Sequence, residues 1–474
     1  MTLQQTEAFD ELILGLDIGT SGIRGSIVSV RVEKERNSSN SHRELWSDKV
    51  ELPFPEKNDL NRQSVQDAEL WSEALASLFD KMSASPYWKN IRHIVADATS
   101  STVLLCDVQG KPLTRAMMYD DQQARNEAEL VSEAVNRAGV ETGALGASST
   151  LAKVIFLMRS TQCKSVRSSD VLICHQIDFI NCWLTGQSGI TDENNALKLG
   201  YDSINRCWPA WVENLIVKTA QENAISVKLP KVICPGEFLA KIQPDLAKRY
   251  GLSDETQIYA GTTDSIAGFL ASGASEIGDG VTSLGSTIAL KLISDKPIFN
   301  AEYGIYSHRL GDSWLVGGAS NAGGAVLLEF FPLEEIKQLI LALQKLHLPN
   351  DQDFYTDRYY PLLRPGERFP IADGQKQPQL PGPAVNENST LNEKARFLFG
   401  LLQGLCYIEE LGYNRLHQMG ASRLRRIYSV GGGTQNAIWQ HLRQLFLPVD
   451  HQKPISLDAS FGVTRLLKNI KNHE

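Results

Sequence analysis

The stretch "LGLDIGTSGIRGSIVS", residues 14–29, decides how the chain is read. An apolar strand runs into Asp17, breaks at Gly19-Thr20-Ser21-Gly22, and resumes as a second apolar strand. A β-hairpin needs glycine at its turn, and Thr and Ser are ordinary turn residues. The same turn offers backbone N–H groups and hydroxyls to a phosphate, and Asp17 suits the cation that accompanies one. The hairpin by itself leaves both readings open.

The pattern returns. "GVTSLGSTIALKLIS" (280–294) is again strand, Gly285-Ser286-Thr287 turn, strand. Two similar hairpins hundreds of residues apart point to a duplicated α/β plan, two domains with a cleft between them. At 474 residues the chain is too long for one comfortable core, which agrees. Between the hairpins, "QIYAGTTDSIAGFLASG" (257–273) reads as a strand that breaks at Gly261-Thr262-Thr263, with Asp264 opening a helix. "RIYSVGGGTQNAIWQHLRQLF" (426–446) reads as strand, triple glycine, helix.

The remaining chain is ordinary by comparison. Trp71, Leu75, Leu78, Phe79 and Met82 keep helical spacing in residues 66–82. Residues 148–185 read as mostly helical and end at Gly186 as a C-cap. Residues 31–44 read as a long hairpin tip, and 364–390, with five prolines, as a surface loop before a long helix over 391–419. Hydrophobic residues make up 42% and charged residues 22%, with a net charge of −8. That balance argues against nucleic acid or an anionic membrane as main partner. No apolar run is long enough to span a bilayer, and no leader is visible. Seven cysteines without zinc spacing fit a reducing, cytoplasmic setting. The oligomeric state is left open.

Four segments together resemble the FGGY-type carbohydrate kinases of the hexokinase/actin superfamily: "LGLDIGTSG", "GTTDSIAGFLASG", "VTSLGSTIALKL" and "VGGGTQNAIW". "SSTLAKVIF" (148–156) is similar to a further family signature, with Phe156 where Trp is usual. The resemblance implies two actin/hexokinase-like (ribonuclease H-like) domains. Residues 11–271 would form the sugar side, joined by a C-terminal helix over 446–474, and 272–445 the ATP side. It implies ATP and Mg²⁺ as cofactors and a small sugar as partner. Asp264 would be the catalytic base and contact the substrate. As an isolated pattern Asp264 is equally well a helix N-cap. Asp17 would contact the sugar and magnesium, the latter through water. Gly19, Thr20, Ser21, Gly285, Ser286 and Thr287 would hold phosphates, while Gly432, Gly433 and Asn436 would hold adenosine. Glycines allow a flat base to approach the backbone closely.

For the acceptor, "DATSSTVLLCD" (97–107) resembles the corresponding turn of D-ribulose kinases, so Asp97, Thr99 and Ser100 are expected at the sugar. Ordinary turn chemistry explains the two hydroxyls almost as well. D-Ribulose is therefore the expected substrate. D-Xylulose or another polyol is the alternative, and a nucleotide-dependent switch or binding protein on the same fold is a second alternative. Tyr119, Asp121 and Gln123 stand where the family has Trp, Asp and Arg. Asn194, Asn195 and Lys198 fall in a stretch like the ribulose-kinase branch and would wall the pocket. "DASFG" (458–462) matches the family, whereas "VTRLLKNIKNHE" (463–474) departs from its small-residue helix.

Overall fold

A computed structural model describes residues 10–31, 42–160, 170–345 and 359–467. The chain divides into two units. One holds the described residues up to Ala271 and those from Ser456 onward, the other Ser272–Ile455.

The first unit is built on a six-stranded sheet in the order Phe238–Lys241, Gln257–Thr263, Ile91–Ala98, Asp10–Ile18, Gly22–Arg31, His42–Glu51. The last three strands form an antiparallel meander, and the Gln257–Thr263, Ile91–Ala98 and Asp10–Ile18 strands run parallel. Leu14, Leu16 and Ile18 face one core with Trp71, Leu75 and Phe79 of the Glu69–Met82 helix. Ile13 and Val95 face another, completed by Phe461 and Val463. Coverage on both faces explains why these strands read as near-continuous apolar runs.

A second sheet of this unit contains Val103–Cys106 beside Asp170–His175. The latter strand corrects the helical reading of 148–185, of which residues 161–169 lie outside the described residues. Among the described residues of this stretch, helix occupies Thr150–Arg159 and Gln176–Thr185, with Gly186 as the expected left-handed cap. A short buried apolar run carries no period that separates strand from helix. The expected hairpin tip at 31–44 falls largely on residues 32–41, which are not among the described residues.

The second unit repeats the plan. Its sheet runs His308–Leu310, Ser313–Ala319, Ile288–Ser294, Asp279–Leu284, Arg426–Val430, Asp450–Gln452, again an antiparallel meander followed by parallel strands. The Leu391–Gln418 helix, capped by a Thr390/Glu393 box, supplies much of its core. Residues 364–390 do not lie wholly at the surface. Phe369 is buried, packed where Gly318 and Gly412 leave no room for a side chain, and the buried Glu367 accepts from Ser320 and Tyr360.

The helix expected over 446–474 is not present among the described residues. Pro448 and Pro454 interrupt it. The segment instead gives the Asp450–Gln452 strand, then a short helix, Ala459–Val463, in the first unit. That helix seats tightly: a Cβ on Gly15 would lie 1.8 Å from the Ser460 carbonyl, and one on Gly462 1.9 Å from that of Ala267. Ser26 and Ser460 share a 2.8 Å hydrogen bond, and Arg24 pairs with Asp458. No helix among the described residues is long and apolar enough to cross a membrane.

Candidate active site

In the first unit three aspartates collect at the carboxyl ends of neighbouring parallel strands. Asp17 lies opposite Asp97 in register, Thr262 lies opposite Asp97 on its other side, and Asp264 follows at the head of the Asp264–Ala271 helix. Ends of this kind are where open α/β sheets bind ligands. Gly261 is required by the approach of two backbones, since a Cβ there would sit 1.6 Å from the Ala96 carbonyl. The strand runs on through Thr263 rather than breaking at Gly261, and its pairing shifts register between Tyr259 and Thr262. Asp264 accepts from the amide of its neighbour Ser265 at 2.5 Å.

The charges in this cluster disfavour one another. Burial pushes the Asp17 carboxyl up to about 6, against the hydrogen bond with Asp97, and Asp264 adds repulsion. Asp97 is fully buried and held well above the usual carboxylate range, by burial first and then by Asp17 and Asp264. Its two oxygens meet no donor except the Asp17 carboxyl. Keeping Asp97 protonated relieves this like charge.

The turn after Asp97 is divided in its commitments. Thr99 points inward: its Oγ1 contacts Gln176 at 2.5 Å and Thr102 at 2.6 Å, and its N–H donates to Gln176. The expected contact from its side chain to a sugar therefore competes with a closed internal network. Ser100 Oγ has no protein partner. Ser101 adopts φ 67°, and its carbonyl accepts from the buried Lys153. Asp121 is likewise turned inward, accepting from the amides of Ser64 and Gln123 and from Gln123 Nε2. Gln123 thus supplies a hydrogen bond to Asp121, and Tyr119 alone of the three is largely exposed. Asn194 donates to Thr262 beside the aspartates, whereas Asn195 is spent on Asp192.

Each hairpin turn presents backbone amides. Gly19 N–H closes the first turn on Gly22 at 3.0 Å, and those of Thr20 and Ser21 take no partner among the described residues. In the second unit, Ser286 and Thr287 are exposed, and the turn is pinned from behind by the amides of Gly324 and Ala325 on the carbonyls of Gly285 and Ser286. A Cβ at Gly323 would lie 2.5 Å from the Ser286 carbonyl. The "NAGGA" stretch (321–325) was the sequence signal for this brace, and only a glycine pair facing a turn would have marked it.

The triple glycine follows the Arg426–Val430 strand. Gly431 has φ 90° and abuts the Leu284 carbonyl, Gly433 abuts Leu284 and Trp439, and Gly432 faces open space. Asn436 Oδ1 caps the Ala437–Phe446 helix through the Trp439 amide at 3.1 Å, which is a structural duty. Beneath the strands, the fully buried Arg443 and Glu409 pair at 2.6 Å, and Glu409 also accepts from Thr282.

Residues 12–271 match the N-terminal domain of the FGGY family of carbohydrate kinases, and 277–443 its C-terminal domain. The chain belongs to that family. It is therefore a phosphotransferase acting on carbohydrate. The chain is 22% identical to the xylulose kinase of Escherichia coli K12 over 98% of this chain and 91% of that one. It is 21% identical to the gluconokinase of Bacillus licheniformis over 94% and 85%. Among solved structures, the xylulose kinase from Rhodospirillum rubrum aligns with a TM-score of 0.75 at 19% identity, covering 96% of this chain and 89% of that one. The Plasmodium falciparum glycerol kinase with ADP aligns with the same score at 15% identity, covering 96% and 89%. These likenesses carry the fold, α/β in two domains.

Proposed function

We propose that this carbohydrate kinase transfers the γ-phosphoryl group of ATP to the terminal hydroxyl of a small ketose, with D-xylulose the preferred acceptor. The single observation that supports the chemistry is the convergence of Asp17, Asp97 and Asp264 on the carboxyl ends of adjacent strands. The relatives named xylulose kinase favour D-xylulose over D-ribulose, and the inward commitment of Thr99 removes part of the argument for D-ribulose. The Asp97-Ala98-Thr99-Ser100 turn keeps D-ribulose as the second reading.

In this mechanism Asp264 receives the proton of the attacking hydroxyl as the P–O bond to ADP breaks. The amides of Thr20 and Ser21, and of Ser286 and Thr287, donate to phosphate oxygens whose charge is redistributed in transfer. Gly432 accepts the nucleotide against bare backbone, and Gly433 and Asn436 shape the same turn. Asp97 and Ser100 hold the sugar. Among the described residues no three acidic, His or Cys side chains are grouped to hold a metal by themselves. A half-buried carboxylate, Asp17, fits magnesium bound mainly through water and phosphate. Magnesium when bound neutralises phosphate charge.

The test is ADP release with magnesium-ATP against D-xylulose, D-ribulose, L-ribulose, gluconate, ribitol, glycerol and no acceptor. Strong stimulation by D-xylulose is expected. Preference for D-ribulose would restore the second reading, and equal slow release in every well would favour a nucleotide-driven switch.

A further inference from the structure

Lys153 is a fully buried lysine that the chemistry above does not use. It sits on the Thr150–Arg159 helix among Leu151, Val154 and Ile155, and forms no ion pair among the described residues. Its Nζ donates to two backbone carbonyls from separate segments, Ser101 at 3.0 Å and Met118 at 2.6 Å. A methionine or leucine would fill this space without desolvating an amine. Burial draws that amine down to about 7, with Asp121 and Asp120 opposing and Lys198 reinforcing the shift.

The Ser101 carbonyl lies next to Ser100, which holds the sugar in the reading above, and the Met118 carbonyl belongs to a separate segment. Ser101 follows Ser100 in the turn after Asp97 and holds a left-handed conformation unusual for serine. Met118 precedes the exposed Tyr119 and, three positions on, Asp121, which holds the amides of Ser64 and Gln123. The other end of the first turn is fixed by Gln176 on Thr99. With Thr99 tied behind and the Ser101 carbonyl tied to Lys153, Ser100 Oγ and Ser101 Oγ remain buried without a protein partner.

We infer that Lys153 is a positioning residue for the acceptor sugar, strapping the Ser100–Ser101 turn to the Met118–Tyr119 segment so that its hydroxyls stand beside Asp97. This rests on the sugar-kinase reading. It assigns the turn's shape to a side chain that touches neither substrate.

Lys153→Met keeps the length and apolar stem and deletes the donors. The expected result is a sugar KM raised at least ~10-fold, about what loss of one to two net hydrogen bonds gives. ATP KM should stay within about twofold and kcat at saturating sugar within about threefold. An unchanged sugar KM, or sugar and ATP KM rising together, overturns the inference. Hydrogen exchange without ligands gives an independent readout. Amides 99–103 should exchange at least ~10-fold faster in the variant while those of Asp10–Ile18 keep their rates. Equal exchange in the turn sinks the strap whatever the substrate. A wild-type enzyme that no sugar stimulates sinks the proposed function and leaves the exchange result to judge the strap. Should Lys153→Met fail to fold, Lys153→Gln, which reaches one carbonyl at most, takes the same two measurements.

Discussion

The two units share a strand order and differ in what they carry at the strand ends. In the first, built around the meander Asp10–Ile18, Gly22–Arg31, His42–Glu51, the parallel strands Asp10–Ile18, Ile91–Ala98 and Gln257–Thr263 bring together Asp17, Asp97 and, at the head of the next helix, Asp264. In the second, the equivalent positions are neutral: Ser283 lies opposite Val430, and the glycines 431–433 come next. One plan has been fitted once with acid and once with bare backbone. Carboxylates serve proton transfer and cation placement, whereas glycine serves close approach of a flat or anionic ligand. The scaffold alone therefore dictates neither chemistry.

The comparison breaks most visibly at Asp264. Asp264→Asn is expected to reduce kcat by ~10²–10⁴-fold, the range for losing a general base, in steady-state ADP release. Near-wild-type turnover would move the chemistry out of the acidic unit. Next in size is Glu409→Gln, which leaves Arg443 buried without its counter-ion and is expected to destabilise the second unit by about 3–5 kcal/mol. Urea denaturation followed by fluorescence reads this directly, and a shift shared equally by probes in both units would deny that the pair belongs to one of them. Gly432→Ala meets no atom within 4 Å, so stability should be kept while ATP KM rises ~10-fold. An unchanged ATP KM would remove the triple glycine from nucleotide binding.

Smaller effects sharpen the contrast. Asp97→Asn relieves a buried carboxyl surrounded by like charge. It is expected to raise the melting temperature by about 2–4 °C in metal-free buffer, what ~1 kcal/mol gives in a domain of this size, while weakening sugar binding. A lowered melting temperature would mean the cluster is structural. Lys153 adds a pH signature. Its amine is drawn down to about 7 in the fold and titrates near 10.4 when unfolded, so between these the unfolded chain binds more protons. This group's contribution to stability rises with pH from about 7 towards 10, and Lys153→Met should flatten that slope in thermal melts.

Much of this was legible because glycine and aspartate mark backbone and charge requirements locally. The two hairpins, the helix opening at Asp264 and the glycine turn at 431–433 stand where their residues put them. What the sequence hid depended on partners far along the chain. Asp170–His175 is apolar on both faces and so has no period to read. The side chain of Thr99 turns inward because Gln176, 77 positions away, waits for it. Lys153 looks like a signature residue in sequence, and only the fold shows that backbone carbonyls receive it. Phe369 occupies a core site from within a proline-rich loop, because glycines at 318 and 412 make the hole.

The return of the chain to the first unit at Ser456 has a bearing on synthesis. Phe461 and Val463 complete a core whose other members include Ile13, Val28 and Val95. During translation the acidic strands emerge early, yet their covering helix emerges hundreds of residues later. The nascent unit must wait with an apolar face uncovered, and a prematurely terminated chain would never close it. The sheet that carries Asp17 and Asp97 is thus covered on this face only in chains that have been made through the whole of the second unit, so truncated products expose a sticky surface rather than a half-working kinase.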